Sequence, residues 1–188
     1  MHLELSELLM SAGPEPEFDN IMQDFLKQTG NELREQCQRG GLLTAQSFGH
    51  RLPWLWALRF ATRGLIREAN GEVRVVEQHI VAVRFLADYL RRANRFEILA
   101  LIEPRQPPAF HPNISPDGAA ICLEVFPGES LTEIALSLHA LFAGRLVTVD
   151  EMNALNPVAC AYWRERVTQP LDDRPLFGTP KRMAIQLS

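Results

Sequence analysis

The sequence predicts an α+β domain in which an amphipathic helix comes first, antiparallel strands follow and two helices close the chain. Three patterns support this order. Apolar residues recur at helical spacing from Phe18 to Cys37, branched and aromatic residues dominate 54–66 and 73–86, and helical spacing returns after residue 130. We therefore divide the chain into an N-terminal arm (1–16), one domain (17–168) and a C-terminal tail (169–188).

The first helix is predicted from one apolar face between Phe18 and Cys37, and Gly40-Gly41 is expected to end it. Cys37 lies on or beside this face. We expect it to pack, because free cysteine usually behaves as a small buried hydrophobe. The preceding residues 1–16 are interrupted by glycine and proline, and we interpret them as a flexible arm.

The strands are predicted from alternating apolar residues. Asn70-Gly71 is a strong hairpin turn between the runs 54–66 and 73–86, each of which we predict as one strand. A third strand is predicted over 95–104. The result is an antiparallel meander of three or four strands laid over the first helix. His79 falls in the second run, and we expect a partly buried polar residue there rather than a ligand.

The two closing helices have clear start signals. Ser130 with Glu133 fits a capping box, in which each side chain satisfies a backbone donor of the first turn. Asn156 followed by Pro157 is a good N-cap with proline at the first helical position. Gly144 is the expected stop of the first of these helices.

Three further expectations concern this C-terminal part. His139 lies away from the apolar stripe of its helix, so we expect it to be solvated. Cys160 has aromatic and small neighbours, so we expect it to pack. The tail 169–188 combines proline and charge with apolar residues, and we expect it to dock on the domain or on a partner.

Composition excludes several functional classes. The chain has 188 residues, 46% of them hydrophobic and 22% charged, and a net charge of -4, which argues against a nucleic-acid binder. No apolar run approaches the ~20 residues that span a bilayer, and the acidic N-terminus does not resemble a signal peptide, so we expect a cytoplasmic protein. The three cysteines are widely spaced without a C-x-x-C pair, so neither disulfides nor metal nor cofactor is expected.

The segment from Phe110 to Val125, FHPNISPDGAAICLEV, contains the most distinctive chemistry. A His-Pro-Asn turn is followed by a second turn built on Ser-Pro-Asp-Gly, and Cys122 stands in a short apolar run. A turn that holds the Asn113 amide near a thiol has the outline of a nucleophile site.

This segment resembles the ubiquitin-conjugating enzymes. The resemblance rests on His111-Pro112-Asn113, Gly118, Ile121-Cys122-Leu123 and Glu124, and it extends to the capped helix after 130, the Leu-Asn-Pro helix start at 155–157 and the aromatic Tyr89. It covers roughly residues 18–168 in element order and is strongest over 110–163. It implies that Cys122 holds an acyl group as a thioester. It also implies that Asn113 donates to the oxyanion of the transfer step or braces the loop, and that His111 is structural.

The resemblance also implies partners. An adenylating, ubiquitin-activating-like enzyme would supply the C-terminus of a ubiquitin-like protein, or of an antiviral nucleotidyltransferase, and Cys122 would pass it to an amine. The departures from the family pattern resemble bacterial relatives from antiphage defence or related conjugation operons. Neither a membrane nor a nucleic acid is expected as a partner, and a homodimer is left open.

The chain departs from the family pattern in several places. The gap from Asn113 to Cys122 is one residue longer, and Leu90 stands where a proline is expected. Phe126-Pro127 replaces the usual tryptophan. The acid that commonly helps to deprotonate the incoming amine aligns with Asn153. Three acids are candidate substitutes for this missing acid: Glu124, Asp150 and Glu151.

Two alternative functions remain at this point. The chain can be a catalytically inactive scaffold of the same fold, although such relatives typically lack the cysteine. An unrelated cysteine hydrolase is disfavoured, because no histidine and aspartate partners are placed to form a triad with Cys122.

Overall fold

The structure is a computed structural model, and it describes residues 13–179. Over this range the helices are α1 (Asn20–Gln38), α2 (Arg95–Ile98), α3 (Leu131–Phe142) and α4 (Pro157–Arg166). The strands are β1 (Leu43–Phe48), β2 (Leu55–Phe60), β3 (Gly64–Arg67), β4 (Val73–Val76), β5 (His79–Arg84) and β6 (Leu99–Glu103). The α+β class and the predicted order of a helix, antiparallel strands and closing helices are thus observed.

The strands form two sheets. A four-stranded antiparallel sheet has the order β1-β2-β5-β6, and β3 and β4 form a separate two-stranded hairpin. In the centre of the large sheet β2 and β5 pair from Leu55 opposite Arg84 to Phe60 opposite His79. The core lies between this sheet, α1 and α3, because the buried residues of all three belong to one apolar cluster. None of the helices within 13–179 is long and apolar enough to cross a membrane.

Helix α1 begins where Asp19 caps it, since the Asp19 carboxylate accepts a hydrogen bond from the Met22 amide at 2.8 Å. Its buried face includes Met22, Leu26 and Leu33. Cys37 is half-buried and packs against the core, as expected. Thr29 links this helix to α3, because its hydroxyl accepts from the Leu131 amide at 2.5 Å.

The predicted strands were too long. Each of the two runs that flank Asn70-Gly71 divides into two strands, of which the inner ones, β3 and β4, form the predicted hairpin and the outer ones join the large sheet. The chain leaves the sheet after Phe60 and approaches it again at Gly64. A β-carbon on Gly64 would lie 2.5 Å from His79 Nε2, so only glycine allows this approach.

Two further strand predictions need correction. Residues 95–98 form the short helix α2 rather than strand, because the Asn94 side chain caps it by accepting from the Phe96 amide at 3.2 Å. Strand β1 was missed altogether. It is an edge strand in which only Leu43 is buried, so its sequence lacks the apolar alternation of a half-buried strand.

Both closing helices start as predicted. The Ser130 hydroxyl accepts from the Glu133 amide at 3.2 Å, and the Glu133 carboxylate accepts from the Ser130 amide at 2.7 Å. In α4 the Asn156 side chain accepts from the Ala159 amide at 3.0 Å. Gly144 follows the end of α3 with φ of 78°, a backbone conformation that favours glycine.

Two histidines are more deeply buried than predicted. His139 was expected to be solvated, but it is 3% exposed, and its ring nitrogens contact the Thr62 hydroxyl at 2.8 Å and the Arg174 carbonyl at 3.1 Å. The outer side of α3 is covered there by a segment distant in sequence. His79 is fully buried, with its ring stacked 4.1 Å from that of Phe142.

Residues 169–179 lie against the domain. Asp172 is 2% exposed, and its carboxylate accepts from the Arg63 amide at 2.9 Å and from the Arg174 guanidinium at 2.7 Å. Leu176 is also buried, and Phe177 forms a β-bridge with Gly41. Residues 180–188 of the predicted tail, and 1–12 of the predicted arm, lie outside the described residues.

Candidate active site

Asn113 and Cys122 are held side by side by their backbones. The Asn113 carbonyl accepts from the Cys122 amide at 2.7 Å, and an Ile114–Ile121 bridge closes the loop between them. The longer loop is absorbed by the Ser-Pro-Asp-Gly turn, in which the Gly118 amide donates to the Ser115 carbonyl at 2.8 Å. Gly118 has φ of 72°, and a β-carbon there would lie 2.9 Å from that of Pro108. The turn therefore requires glycine.

The Asn113 side chain connects the thiol segment to the loop after α3. Its Nδ2 donates to the Cys122 carbonyl at 3.1 Å, and its Oδ1 accepts from the Thr148 amide at 2.9 Å. An amide nitrogen has two hydrogens, so one remains beyond the bond to Cys122. In this conformation Asn113 braces two segments and retains one donor.

The Cys122 thiol lies at the surface in a depression of about 390 Å³, which we call the Cys122 depression. Its lining residues are Asn113, Cys122, Leu123, Glu124, Phe126, Glu129, Ser137, Leu141, Leu146, Val147 and Thr148. Cys122 is partly exposed, whereas its neighbours Ile121 and Leu123 are buried. The residues on either side of Cys122 are thus anchored in the core, while Cys122 itself keeps partial exposure in the depression.

The other cysteines do not share this setting. Cys160 is buried, and its Sγ donates to the Thr148 carbonyl at 3.2 Å. Burial raises the pKa of the Cys37 and Cys160 thiols, which favours their unreactive protonated form. Neither residue lines the Cys122 depression.

His111 and Pro112 connect the turn to α4. His111 is 2% exposed, its Nδ1 accepts from the Asn113 amide at 3.1 Å, and its ring packs edge-on against Trp163. Burial, and secondarily the nearby His79, lower the pKa of His111 to about 3, so its imidazole is neutral. The Pro112 carbonyl accepts from the Asn156 amide at 3.1 Å, which places the start of α4 against the turn.

The candidate acids differ in whether they line the Cys122 depression. Glu124 is exposed and lines the Cys122 depression. Asn153 does not line it, and its side chain donates to Asp150 at 2.7 Å in an exposed turn. Glu151 lies 2.7 Å from Arg164 on α4 and is likewise outside the depression.

Glu129 was missed by the sequence reasoning. It is partly buried in the wall of the Cys122 depression, and its carboxylate accepts from the Phe126 amide at 2.9 Å. Burial raises the pKa of this carboxyl, and the charges of Glu133 and Glu124 raise it further. Its position immediately before the helix cap Ser130 was the available signal, because it placed Glu129 where the chain turns back from the thiol segment.

Comparisons with known proteins rest on structure. The chain matches no protein-family model and no curated protein. Among solved structures 101 chains match, including one described as a "Novel Ubiquitin-Conjugating Enzyme", with a TM-score of 0.53. The fold is similar to that of ubiquitin-conjugating enzymes. The alignment covers 76% of this chain and 85% of that chain at 15% identity, so the likeness establishes the fold and leaves activity to be argued from the site.

Within this ubiquitin-conjugating-like fold, side chains from three separate parts of the chain meet at the thiol. The turn supplies Asn113, the extended segment supplies Cys122 and Glu124, and the turn before α3 supplies Glu129. Helix α3 and the loop after it complete the wall with Leu141, Leu146 and Thr148 among others. This arrangement places a thiol, a side-chain amide and two carboxylates around one open space.

Proposed function

We propose that this chain is a ubiquitin-conjugating-like carrier, which accepts the C-terminus of another protein as a thioester on Cys122 and passes it to an amine. The observation that supports this most is the setting of Cys122. It is a partly exposed thiol in an open depression, on backbone bound directly to Asn113. The other two cysteines are placed for packing.

The chemistry needs little from the protein besides this geometry. The Cys122 thiolate attacks the carbonyl carbon of the donor thioester, the donor sulfur leaves with the electron pair, and a new thioester forms on Cys122. Thiolate is a strong nucleophile. His111 is not a candidate base for this step, because it is buried and its lowered pKa makes it a weak base.

Asn113 contributes in two ways under this proposal. Its bonds to the Cys122 carbonyl and the Thr148 amide keep the thiol segment and the loop after α3 in a fixed relation. Its remaining Nδ2 hydrogen is available to an oxyanion that forms when an amine attacks the thioester. Two hydrogen bonds support the bracing role directly. The donor role depends on where the carbonyl oxygen of the bound thioester lies.

The partners follow from the family resemblance together with the fold. The donor is an adenylating, ubiquitin-activating-like enzyme. The cargo is a ubiquitin-like protein or, in a close variant, an antiviral nucleotidyltransferase joined through its C-terminus. The operon setting proposed is a bacterial defence or related conjugation system, and the proposed location is the cytoplasm.

The test is to incubate the chain with candidate activating enzymes, cargo and ATP, and to analyse the products with and without reductant. We expect a reducible adduct on the native chain, a reductant-resistant oxyester on Cys122→Ser and no adduct on Cys122→Ala. Cys37→Ser is the matched control, because this half-buried thiol lies away from the depression, and it should load like the native chain. Undiminished loading of Cys122→Ala contradicts the proposal.

An inactive scaffold is the second candidate. It is favoured by one observation, the placement of Asn153 in an exposed turn outside the Cys122 depression where the family pattern has an acid. A scaffold forms no reducible adduct with any activating enzyme, so the same gels distinguish the two functions.

A further inference from the structure

The Cys122 depression has an acidic wall that the family resemblance does not explain. Glu124 and Glu129 both line it, whereas Asn153, Asp150 and Glu151 do not. Two carboxylates therefore line the same depression as the thiol. They suit a cationic second substrate, which is what a primary amine is at neutral pH.

We propose that Glu129 accepts the proton of the amine that attacks the Cys122 thioester, and that the acceptor is a primary alkylammonium such as a lysine side chain. This inference rests on the proposed carrier function. It assigns to the turn before α3 a role that the family pattern places in the turn before α4.

The position of Glu129 is fixed by three hydrogen bonds. Its amide donates to the Phe126 carbonyl at 3.1 Å, its carbonyl accepts from the Tyr89 hydroxyl at 2.8 Å, and its Oε2 accepts from the Phe126 amide at 2.9 Å. The second carboxylate oxygen retains acceptor capacity for an incoming N–H. Because these bonds already hold the carboxylate in place, little entropy is lost in positioning it when the amine arrives.

Two neighbouring carboxylates, those of Glu133 and Glu124, strengthen Glu129 as a base. Burial is the main cause of the raised pKa of Glu129, the hydrogen bond from the Phe126 amide partly offsets it, and the neighbouring negative charges add to it. The Tyr89 hydroxyl, whose own pKa is raised by burial and by Glu129 and Glu133, donates to the Glu129 carbonyl. A carboxylate with a raised pKa takes a proton from an ammonium group at a lower free-energy cost.

The rest of the wall suits an alkyl chain. Phe126 is 57% exposed and Leu146 is 44% exposed, so each presents apolar surface at the depression. An acceptor with several methylene groups can cover this surface while its ammonium group reaches the carboxylates. Water lacks such a stem, which favours transfer to an amine over hydrolysis.

The step is balanced as follows. The ammonium gives one proton to Glu129, and the neutral nitrogen forms a bond to the thioester carbonyl carbon. The carbon–sulfur bond breaks, and Cys122 leaves with the electron pair. The second nitrogen proton goes to the Cys122 sulfur, and Glu129 releases its proton to solvent. The products are an amide, a free thiol and one proton.

The experiment uses chemical loading, so it needs no natural partner. The native chain is incubated with the mercaptoethanesulfonate thioester of N-acetylglycine, and acylation of Cys122 is followed by intact mass. Loaded protein is then mixed with n-butylamine or methylamine, and the discharge rate is measured from pH 5 to 8. The two amines have similar basicity but differ in alkyl length, so we expect about tenfold faster discharge by n-butylamine at low concentration.

Glu129→Gln is the decisive variant, because the glutamine oxygen can still accept from the Phe126 amide but cannot take a proton. We expect normal loading and a discharge rate about a hundredfold lower at pH 7. The native rate should level off above the pKa of Glu129 and fall below it, whereas the variant, which depends on the scarce free amine, should rise about tenfold per pH unit across the whole range. Glu129→Asp keeps a carboxylate and should retain part of the rate. Glu124→Gln removes a neighbouring charge and should move the acid limb to lower pH. Glu165→Gln, an exposed acid on α4, should match the native protein.

The outcomes separate the two proposals. If the native chain forms no adduct at Cys122, the carrier function is wrong and the role of Glu129 falls with it. If loading is normal and Glu129→Gln discharges with the native rate and pH profile, Glu129 is not the base and the carrier function stands. A uniform loss of rate with an unchanged pH profile also contradicts the base role, since a merely structural residue gives that result. If Glu129→Gln does not fold, the shift of the acid limb to lower pH that is expected for Glu124→Gln still tests the base role of Glu129.

Discussion

Replacing Asn113 with alanine tests how the thiol segment is held. The substitution removes the Nδ2 bond to the Cys122 carbonyl and the Oδ1 bond to the Thr148 amide. A typical hydrogen bond contributes about 0.5–1.5 kcal/mol, and a partly buried donor left unpaired costs about 1–3 kcal/mol. Because the Thr148 amide has partial access to water, we expect the free energy of unfolding to fall by about 2 kcal/mol.

The assay is urea unfolding of Asn113→Ala beside the native chain, followed by loading and discharge measurements. Asn153→Ala is the matched control, because that side chain lies in an exposed turn and donates to Asp150, and its loss should cost less than about 0.5 kcal/mol. Loading of Asn113→Ala should stay within a few fold of native, since the thiol is unchanged. Discharge should slow by about a hundredfold or more if the remaining Nδ2 hydrogen serves the oxyanion.

The combination of results identifies the role. A loss of stability with little effect on discharge means that Asn113 only braces the loop. Slow discharge with unchanged stability means that the two hydrogen bonds contribute nothing to folding, which refutes the bracing argument. Native values for both quantities reject any role for Asn113.

Two further predictions concern stability. Burial lowers the pKa of His79 to about 4 and that of His111 to about 3, below the usual 6.5, so both are neutral in the folded chain while the unfolded chain binds protons first. The stabilisation from these two neutral histidines should therefore be fully present above pH 6.5, and below it the free energy of unfolding should fall by up to about 1.4 kcal/mol per pH unit for each histidine. A urea midpoint that stays flat between pH 6.5 and 5 contradicts this. His50→Gln, at an exposed site, should not change the dependence of the midpoint on pH. Asp172→Ala leaves the Arg63 amide and the Arg174 guanidinium without their buried acceptor, so we expect a loss of about 2–3 kcal/mol in urea unfolding, whereas Asp173→Ala, the exposed neighbour, should cost less than about 0.5 kcal/mol.

Much of the fold was predictable because its causes are local. The capping pair Ser130 and Glu133 lies within one turn, and the Asn70-Gly71 hairpin turns within the short stretch between Arg67 and Val73, where Gly71 has φ of 86°. The apolar face of α1 repeats at helical spacing along its own sequence. Strand β1 was not predicted, because an edge strand with one buried residue has no periodic apolar pattern.

The misplaced histidine and the missed acid have a common cause. His139 was expected in solvent because it lies away from the apolar stripe of its helix, but residues near Arg174 cover it. Glu129 was not predicted as a site residue. Its place immediately before the Ser130 cap is a local feature, but its position in the wall of the Cys122 depression depends on the packing of α3 against the thiol segment.

The amino-acid sequence by itself determined that this chain folds as an α+β domain with one distinctive thiol segment, in which Asn113 and Cys122 are the chemically notable side chains. Such features follow from periodicity and from turn chemistry over a few residues. Only the tertiary structure decided that the Asn113 side chain accepts from the Thr148 amide, that Asn153 lies outside the Cys122 depression and that Glu129 lies in the wall of that depression. The first relation joins residues 35 positions apart, and the burial that raises the pKa of Glu129 exists only once the core has formed.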